Sequence, residues 1–322
     1  MSSLLPTDSI SVPRFVGTAN FMRLPSASTL DGVEVGIIGL PCDSGAPYRT
    51  GARFGPGAVR ASSVMLRPIS PYHGNINVFE VLSVADVGDS TVVPGYLDAS
   101  FEAIERAMTA LVEHAIKPIA IGGDHSVSLP ALRAIAKRHG PLSLVHFDAH
   151  TDTWDKYFGG KKHSAGTPFR RAVEEGLVDP ARSIQIGMRG SLFHPDDVSQ
   201  SVDLGYDVVT TDEIFAEGMV ALAERVRRRV EDNPVYLTFD MDFVDPGSAP
   251  GVETPEAGGP SAREALQIVR SLTGIDIVAA DMVEVCPPYD NESGVTALLG
   301  ATIVSEILAL MAVYKLSQVQ CA

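Results

Sequence analysis

Three short clusters of aspartate and histidine, each just downstream of an apolar run, constrain this chain more than any other feature. PIAI leads to His125 in GGDHS, LSLVHF leads to Asp148, His150 and Asp152 in FDAHTD, and VYLTF leads to Asp240 and Asp242 in TFDMDFVDP. An extended backbone sends residues i and i+2 to one face, so Asp148 pairs with His150 and Asp240 with Asp242. Six such side chains from distant stretches can serve one site only if the apolar runs are strands whose ends lie side by side. In an open parallel α/β sheet, ligands bind beyond the carboxyl ends of the strands.

The remaining pattern agrees with that architecture. Strands are expected at Val33 to Gly39, Val78 to Val84, Pro118 to Ile121, Leu142 to Phe147, Ser183 to Gly187, Asp207 to Thr210, Val235 to Phe239 and Ile275 to Ala280. An acidic turn, DVGD, is expected after the second. Helical periodicity runs over Phe101 to His114, Leu129 to His139, Met219 to Val230, Ala262 to Leu272 and Val295 to Tyr314. Alternation of this kind predicts a three-layer α/β/α fold around a mainly parallel sheet. Residues 1–30, with Pro6, Pro13 and Pro25, read as an N-terminal arm or lid. Residues 31–322 show no linker or compositional break and read as one catalytic domain.

Charge and composition narrow the function. The net charge is −15 over 322 residues, and the one basic run, Arg227 to Arg229, falls in a helical stretch beside Glu224 and Glu231. No nucleic-acid partner is expected. The apolar stretch from Leu298 to Val313 is interrupted by Ser305 and Glu306, so a packed helix is expected there and no membrane partner. No basic region followed by a hydrophobic core opens the chain, which makes the cytoplasm the expected location. Cys42, Cys286 and Cys321 lack metal or redox spacing and read as core or terminal thiols.

Four carboxylates and two imidazoles match two divalent cations in charge and in ligand type. Oxygen-rich ligation with histidine and no thiolate favours Mn²⁺, with Ni²⁺, Co²⁺ or Fe²⁺ as alternatives. Asp148 and Asp240, each opening its cluster, are the bridge candidates. Such a pair of ions lowers the pKa of water and supplies a nucleophile near neutral pH. Glu284, after the last strand, is placed to hold a planar guanidinium through paired hydrogen bonds, or to form a structural salt bridge. Asp43, Arg49 and Arg53 sit in a Gly- and Pro-rich loop and read as a structural network. His163 is either a proton shuttle or a solvent-facing side chain. Trp154 and Tyr157 are candidates for contact with a substrate tail.

These residues lie in stretches that resemble the ureohydrolase family of arginases, agmatinases and guanidino-acid hydrolases. The matching stretches are GLPCDSGAPYRTGARFGPGAVR, IGGDHS, FDAHTDT, GTPFRRAVEEG, TFDMDFVDPGSAPG and EVCPPYD. The resemblance implies an arginase-like domain with a central eight-stranded parallel sheet. It further implies a two-manganese centre, release of urea from a guanidino compound by a metal-bridging hydroxide, and a homotrimer or homohexamer. One ion falls among His125, Asp148, Asp152 and Asp240, and the other among His150, Asp148, Asp240 and Asp242. Asp152 also orients the hydroxide, and Glu284 holds the guanidinium.

Two positions depart from the family pattern. Ala165 stands where agmatinase-like members carry a histidine, and His163, two residues earlier, would face the same way in an extended loop. Glu253 stands where relatives often have glycine. Thr151, Thr153 and Trp154 replace the asparagine-bearing loop of arginases, which disfavours arginine. Agmatine would need an acidic tail site, for which Asp155 and Glu253 are candidates. A bulky Tyr157 shortens the pocket, so the expected substrate is a short ω-guanidino acid, 3-guanidinopropanoate before 4-guanidinobutanoate. The alternatives are agmatine, guanidine or an alkylguanidine, the last two with nickel, or a weakly active subunit of a mixed oligomer because of Ala165.

Overall fold

The computed structural model describes residues 4–26 and 29–321, with side chains to Val319. Eight strands form one sheet: β1 (Val35–Leu40), β2 (Val84–Asp89), β3 (Lys117–Gly122), β4 (Ser143–Phe147), β5 (Ile184–Met188), β6 (Asp207–Thr210), β7 (Val235–Asp240) and β8 (Ile277–Val283). Their spatial order is β2-β1-β3-β8-β7-β4-β5-β6. Every neighbouring pair runs parallel. β1, β4, β5, β7 and β8 are buried along their whole length, as a sheet covered on both faces requires.

Alternation along each strand divides the core into two layers. Ile37, Val145, Leu237 and Met282 point to one face and pack with helices Gly55–Ser63, Met219–Val230, Ala262–Ser271 and Val295–Cys321. Ile38, Leu144, Tyr236 and Val283 point to the other and pack with helices Leu97–Glu113, Ser128–His139 and Pro168–Glu174. Helix Val295–Cys321 is long and apolar enough to cross a membrane, but 78% of its apolar window is buried in the fold.

The expectations for residues 78–89 need correction. Val78 to Val84 is not a strand: Val78–Val81 forms a helical turn, started by Asn77, whose Oδ1 accepts the Phe79 N–H at 3.2 Å. The apolar run there carries no period that separates turn from strand, so the capping side chain decides. The strand begins at Val84 and takes in DVGD, which is therefore extended chain and not a turn. The inner part of the expected arm is core: Phe21 and Leu24 are buried, and Asp86 accepts the Phe21 N–H at 2.7 Å. Ile10 and Phe15 are exposed, and none of the described arm residues lines the cavity described below. Residues 1–3, 27 and 28 of the expected arm lie outside the described residues.

Candidate metal centre

The four central strands β3, β8, β7 and β4 each deliver one part of the site at their carboxyl ends. His125 follows β3, Glu284 follows β8, Asp240 ends β7 with Asp242 beyond it, and Asp148, His150 and Asp152 follow β4. Phe147 is paired with Phe239, so Asp148 and Asp240 stand one step further, side by side. Glu284 follows Val283, which is paired with Asp240. Asp152 (φ 49°) and Glu284 (φ 65°) both adopt the left-handed backbone conformation that non-glycine residues rarely take. Backbone strain at two adjacent points of one cavity marks a functional site. Gly123 is required for a different reason: a Cβ there would overlap the Cys42 carbonyl.

His125 Nδ1 is buried and faces three carboxylate oxygens at once. Asp152 Oδ2 lies at 2.9 Å, and Asp148 Oδ2 and Asp240 Oδ2 each at 3.1 Å. One ring nitrogen carries one proton at most and cannot satisfy three carboxylates, whereas a divalent cation at the centre of this cage can. The second group lies alongside. His150 Nδ1 is 3.1 Å from Asp242 Oδ2 and 3.4 Å from Asp148 Oδ1. Asp148 thus presents one oxygen to each group, which is bridging geometry. Asp240 presents Oδ2 to the first group, while its Oδ1 accepts the Asp242 N–H at 2.7 Å.

The electrostatics agree with two cations. Each buried carboxylate costs several kcal/mol unless positive charge offsets it. Burial would depress the His125 pKa, yet Asp148, Asp152 and Asp240 push it well above the usual imidazole value. Burial and the neighbouring charges of Asp242 and Asp148 push Asp240 well up, and burial with Asp148 pushes Asp152 up to about 7. The site is thus short of positive charge, which divalent ions would supply. The two sets together form two clusters suited to a binuclear divalent-metal site.

His146 sits close enough to the first cluster to be grouped with it, but its nitrogens are otherwise engaged. The Gln185 amide NH₂ donates to Thr151 O at 2.6 Å and to His146 Nδ1 at 3.0 Å. The proton must then be on His146 Nε2, which donates to Asp148 Oδ2 at 2.8 Å. His146 orients the bridging carboxylate and does not ligate. In the same way, His125 Nε2 bonds Thr238 Oγ1 at 2.9 Å, which aims Nδ1 at the carboxylates. His146 carries no ligand pattern of its own in the sequence. Its position two residues before Asp148 on one strand was the available signal.

A cavity of about 460 Å³ opens over the clusters, lined by His150, Asp152, Asp240, Asp242 and Glu284 at its base. Glu284 Oε1 accepts the His125 backbone N–H at 2.7 Å, and its Oε2 is buried without a partner. Burial and the Asp240 charge push Glu284 well above the usual carboxyl range. Trp154 and Tyr157 line the cavity, ring centroids 5.5 Å apart and edge to face. Ala165 lines it too.

His163 does not share this cavity. Its Nδ1 lies 3.2 Å from Asp98 Oδ1, its ring packs on Phe101, and it lines a separate surface cavity with Lys161 and Lys162. The expected i, i+2 alignment with Ala165 fails because the chain turns: Thr167 Oγ1 accepts the Ser164 N–H at 3.0 Å. Asp155 pairs with Arg171 outside the cavity, and Glu253 is fully buried behind it. The acid that does line the wall is Glu256, which the sequence reading passed over. Asp43 accepts the Gly51 N–H at 2.7 Å and pairs with Arg53, the network expected of that loop. Arg49 Nη1 donates to Val252 O at 3.3 Å and stacks on Tyr289. Cys42 and Cys286 are buried and free; the Cys321 side chain lies outside the described residues.

The sheet order and the paired strand-end clusters fit a metal-dependent hydrolase with room for two divalent ions. Comparison with known proteins agrees: the arginase family model matches residues 33–310. The chain is 45% identical over 307 residues to guanidinopropionase of Pseudomonas aeruginosa, covering 95% of this chain and 96% of that protein. It is 43% identical over 309 residues to guanidinobutyrase of the same organism, with 95% and 96% covered. Among solved structures, proclavaminate amidinohydrolase from Streptomyces clavuligerus superposes with a TM-score of 0.89 at 38% identity, over 94% of this chain and all of that one. The chain belongs to the arginase family and is a ureohydrolase-type enzyme.

Proposed function

We propose that this protein hydrolyses a short ω-guanidino acid, 3-guanidinopropanoate in preference to 4-guanidinobutanoate, to urea and the amino acid. The observation that carries the reading is Asp148, with one oxygen in each ligand group, beneath a cavity lined by His150, Asp152, Asp240, Asp242 and Glu284. His125, Asp148, Asp152 and Asp240 would hold one Mn²⁺, and His150, Asp148, Asp240 and Asp242 the other. When bound, the ions lower the pKa of water and stabilise charge that develops on the substrate. Glu284 receives the guanidinium through its unpartnered Oε2, which fixes the central carbon over the clusters. Asp152, which lines the cavity, would orient the attacking water and take the proton it gives up as it adds to that carbon. The C–N bond to the tail then breaks, and the departing amine takes up a proton.

Tyr157 in the cavity wall supports the shorter acid, because a bulky ring in the wall favours a shorter tail. That difference is worth about 1–3 kcal/mol, a preference and not an exclusion. Identities of 45% and 43% to the two guanidino-acid hydrolases do not separate the substrates. A second reading is favoured by one fact: no Lys or Arg is among the described residues lining the cavity. Guanidine or an alkylguanidine, with no carboxylate to satisfy, would suit that wall, and Ni²⁺ or Co²⁺ could replace Mn²⁺. Urea release from a panel of both acids, agmatine, arginine, guanidine and methylguanidine, with each metal, tests both readings. Faster turnover of agmatine or methylguanidine than of either acid would end the first. A cytoplasmic homotrimer or homohexamer is the accompanying expectation, open to sedimentation analysis.

A further inference from the structure

Trp154 forms part of the cavity wall, yet its indole Nε1 is buried with no partner in the protein. Asp197, the first residue of helix Asp197–Asp203, is 4% exposed. Its Oδ2 accepts the backbone N–H of Phe193 at 2.8 Å and of His194 at 3.0 Å. Its Oδ1 is buried and likewise unpartnered. Trp154 and Asp197 both line a small cavity of about 20 Å³, which shares His150, Trp154, Ser191 and Leu192 with the substrate cavity. One water needs roughly 10–15 Å³ of such space and at least two polar partners. Two residues that line one water-sized space, one with an unpartnered donor and the other with an unpartnered acceptor, can meet both conditions. Leaving both unmade is the costlier state.

We propose that Asp197 is a positioning residue for substrate specificity, holding the Trp154 indole N–H through one buried water and the Phe193 loop directly. Trp154 and Phe193 are edge to face, with ring centroids 6.0 Å apart, and both line the substrate cavity. One carboxylate therefore fixes two aromatic walls while touching no substrate itself, since Asp197 is absent from the lining of that cavity. The head of the substrate is held elsewhere, by Glu284 and the metal clusters. Loss of Asp197 should weaken binding of the tail and leave the chemistry at the head intact. The specificity role rests on the amidinohydrolase reading; the bridge itself does not.

Trp154 is the only tryptophan in the chain, so indole spectroscopy reports this site alone. The test compares the metal-loaded full chain with Asp197→Ala and the shape-conserving Asp197→Asn. The ultraviolet resonance Raman band of the indole N–H should show a hydrogen bond in the parent. The bond should weaken in the alanine variant and recover at least in part in the asparagine variant. KM for 3-guanidinopropanoate should rise roughly tenfold in Asp197→Ala with kcat within about twofold, while turnover of guanidine, which has no tail, stays unchanged. A parent indole N–H without a hydrogen bond overturns the bridge. So does a band that is the same in the parent and the alanine variant. An equal KM in parent and Asp197→Ala overturns the specificity role. If no guanidino compound is hydrolysed at all, the amidinohydrolase reading fails, and the Raman band still decides the bridge.

Discussion

His146 Nε2 donates to Asp148 Oδ2 at 2.8 Å, and this bond holds a carboxylate that presents one oxygen to each ligand group. Gln185 fixes the tautomer from behind. Replacing a residue that orients a metal ligand typically costs 10–100-fold in affinity or activity. His146→Ala should therefore weaken Mn²⁺ binding by about that factor, as read by calorimetric titration. Unchanged affinity would show that Asp148 holds its place without help.

Removal of metal should destabilise the fold as well as stop urea formation. A ligand that binds only the folded chain stabilises it by about 2.7 kcal/mol at a hundred times its Kd. Chelation should lower the melting temperature, and stoichiometric Mn²⁺ should restore it together with activity. Metal analysis of the reloaded protein should give two ions per chain, and a firm plateau at one would remove the binuclear centre.

Glu284→Gln keeps shape and removes charge. Truncating one partner of a buried, hydrogen-bonded charge pair costs about 2–5 kcal/mol. The variant should lose at least about thirtyfold in kcat/KM for any guanidino substrate. Its metal content should stay at the parent value, because Glu284 is outside both ligand groups. Loss of metal in this variant would mean that the carboxylate shapes the cage through its bond to the His125 N–H.

Glu253 gives a pH signature. Burial, then the nearby Glu284, pushes its pKa from 4.5 up to about 11. A carboxyl raised in this way keeps its proton in the folded chain after the unfolded chain has released it. Stability is therefore full below about pH 4.5 and is lost as pH rises toward 11. At pH 7 the cost is about 3 kcal/mol. In the metal-free protein, Glu253→Gln should be more stable than the parent at pH 7, and the two should converge in acid. Urea denaturation across pH 4–9 measures the difference, and parallel curves would show that Glu253 is ionised in the fold.

His163 faces Asp98, not the substrate cavity. His163→Ala should leave kcat/KM within about twofold. Ala165 does line the cavity, and a positioned acid–base group contributes roughly 10²–10⁴-fold. Ala165→His should therefore raise kcat for the preferred substrate. If the alanine variant at 163 abolishes turnover, the loop must rearrange when substrate binds.

The strand-end clusters of aspartate and histidine were legible because buried strands and i, i+2 spacing leave a direct trace in sequence. The sheet was legible for the same reason, apart from the segment around Val78. There, one hydrogen bond from Asn77 decides between a turn and a strand. The supporting groups were harder to read. Gln185, Thr238 and Asp197 act through contacts between elements far apart in the chain, and none carries a local pattern. His163 misled because side-chain alternation holds only in extended chain, and the segment from Ser164 turns. Glu256 was missed because a lone acid in a Gly- and Pro-rich loop resembles any exposed turn residue.

β8 lies between β3 and β7, although it is the last strand in the chain. Every ligand-bearing segment is synthesised before the strand that must slot into their midst. Pairing of β8 with β3 on one side and β7 on the other is what brings the His125 segment near the Asp240 segment. The His125 cluster is therefore a contact between segments far apart in the chain, complete only once its last strand is in place.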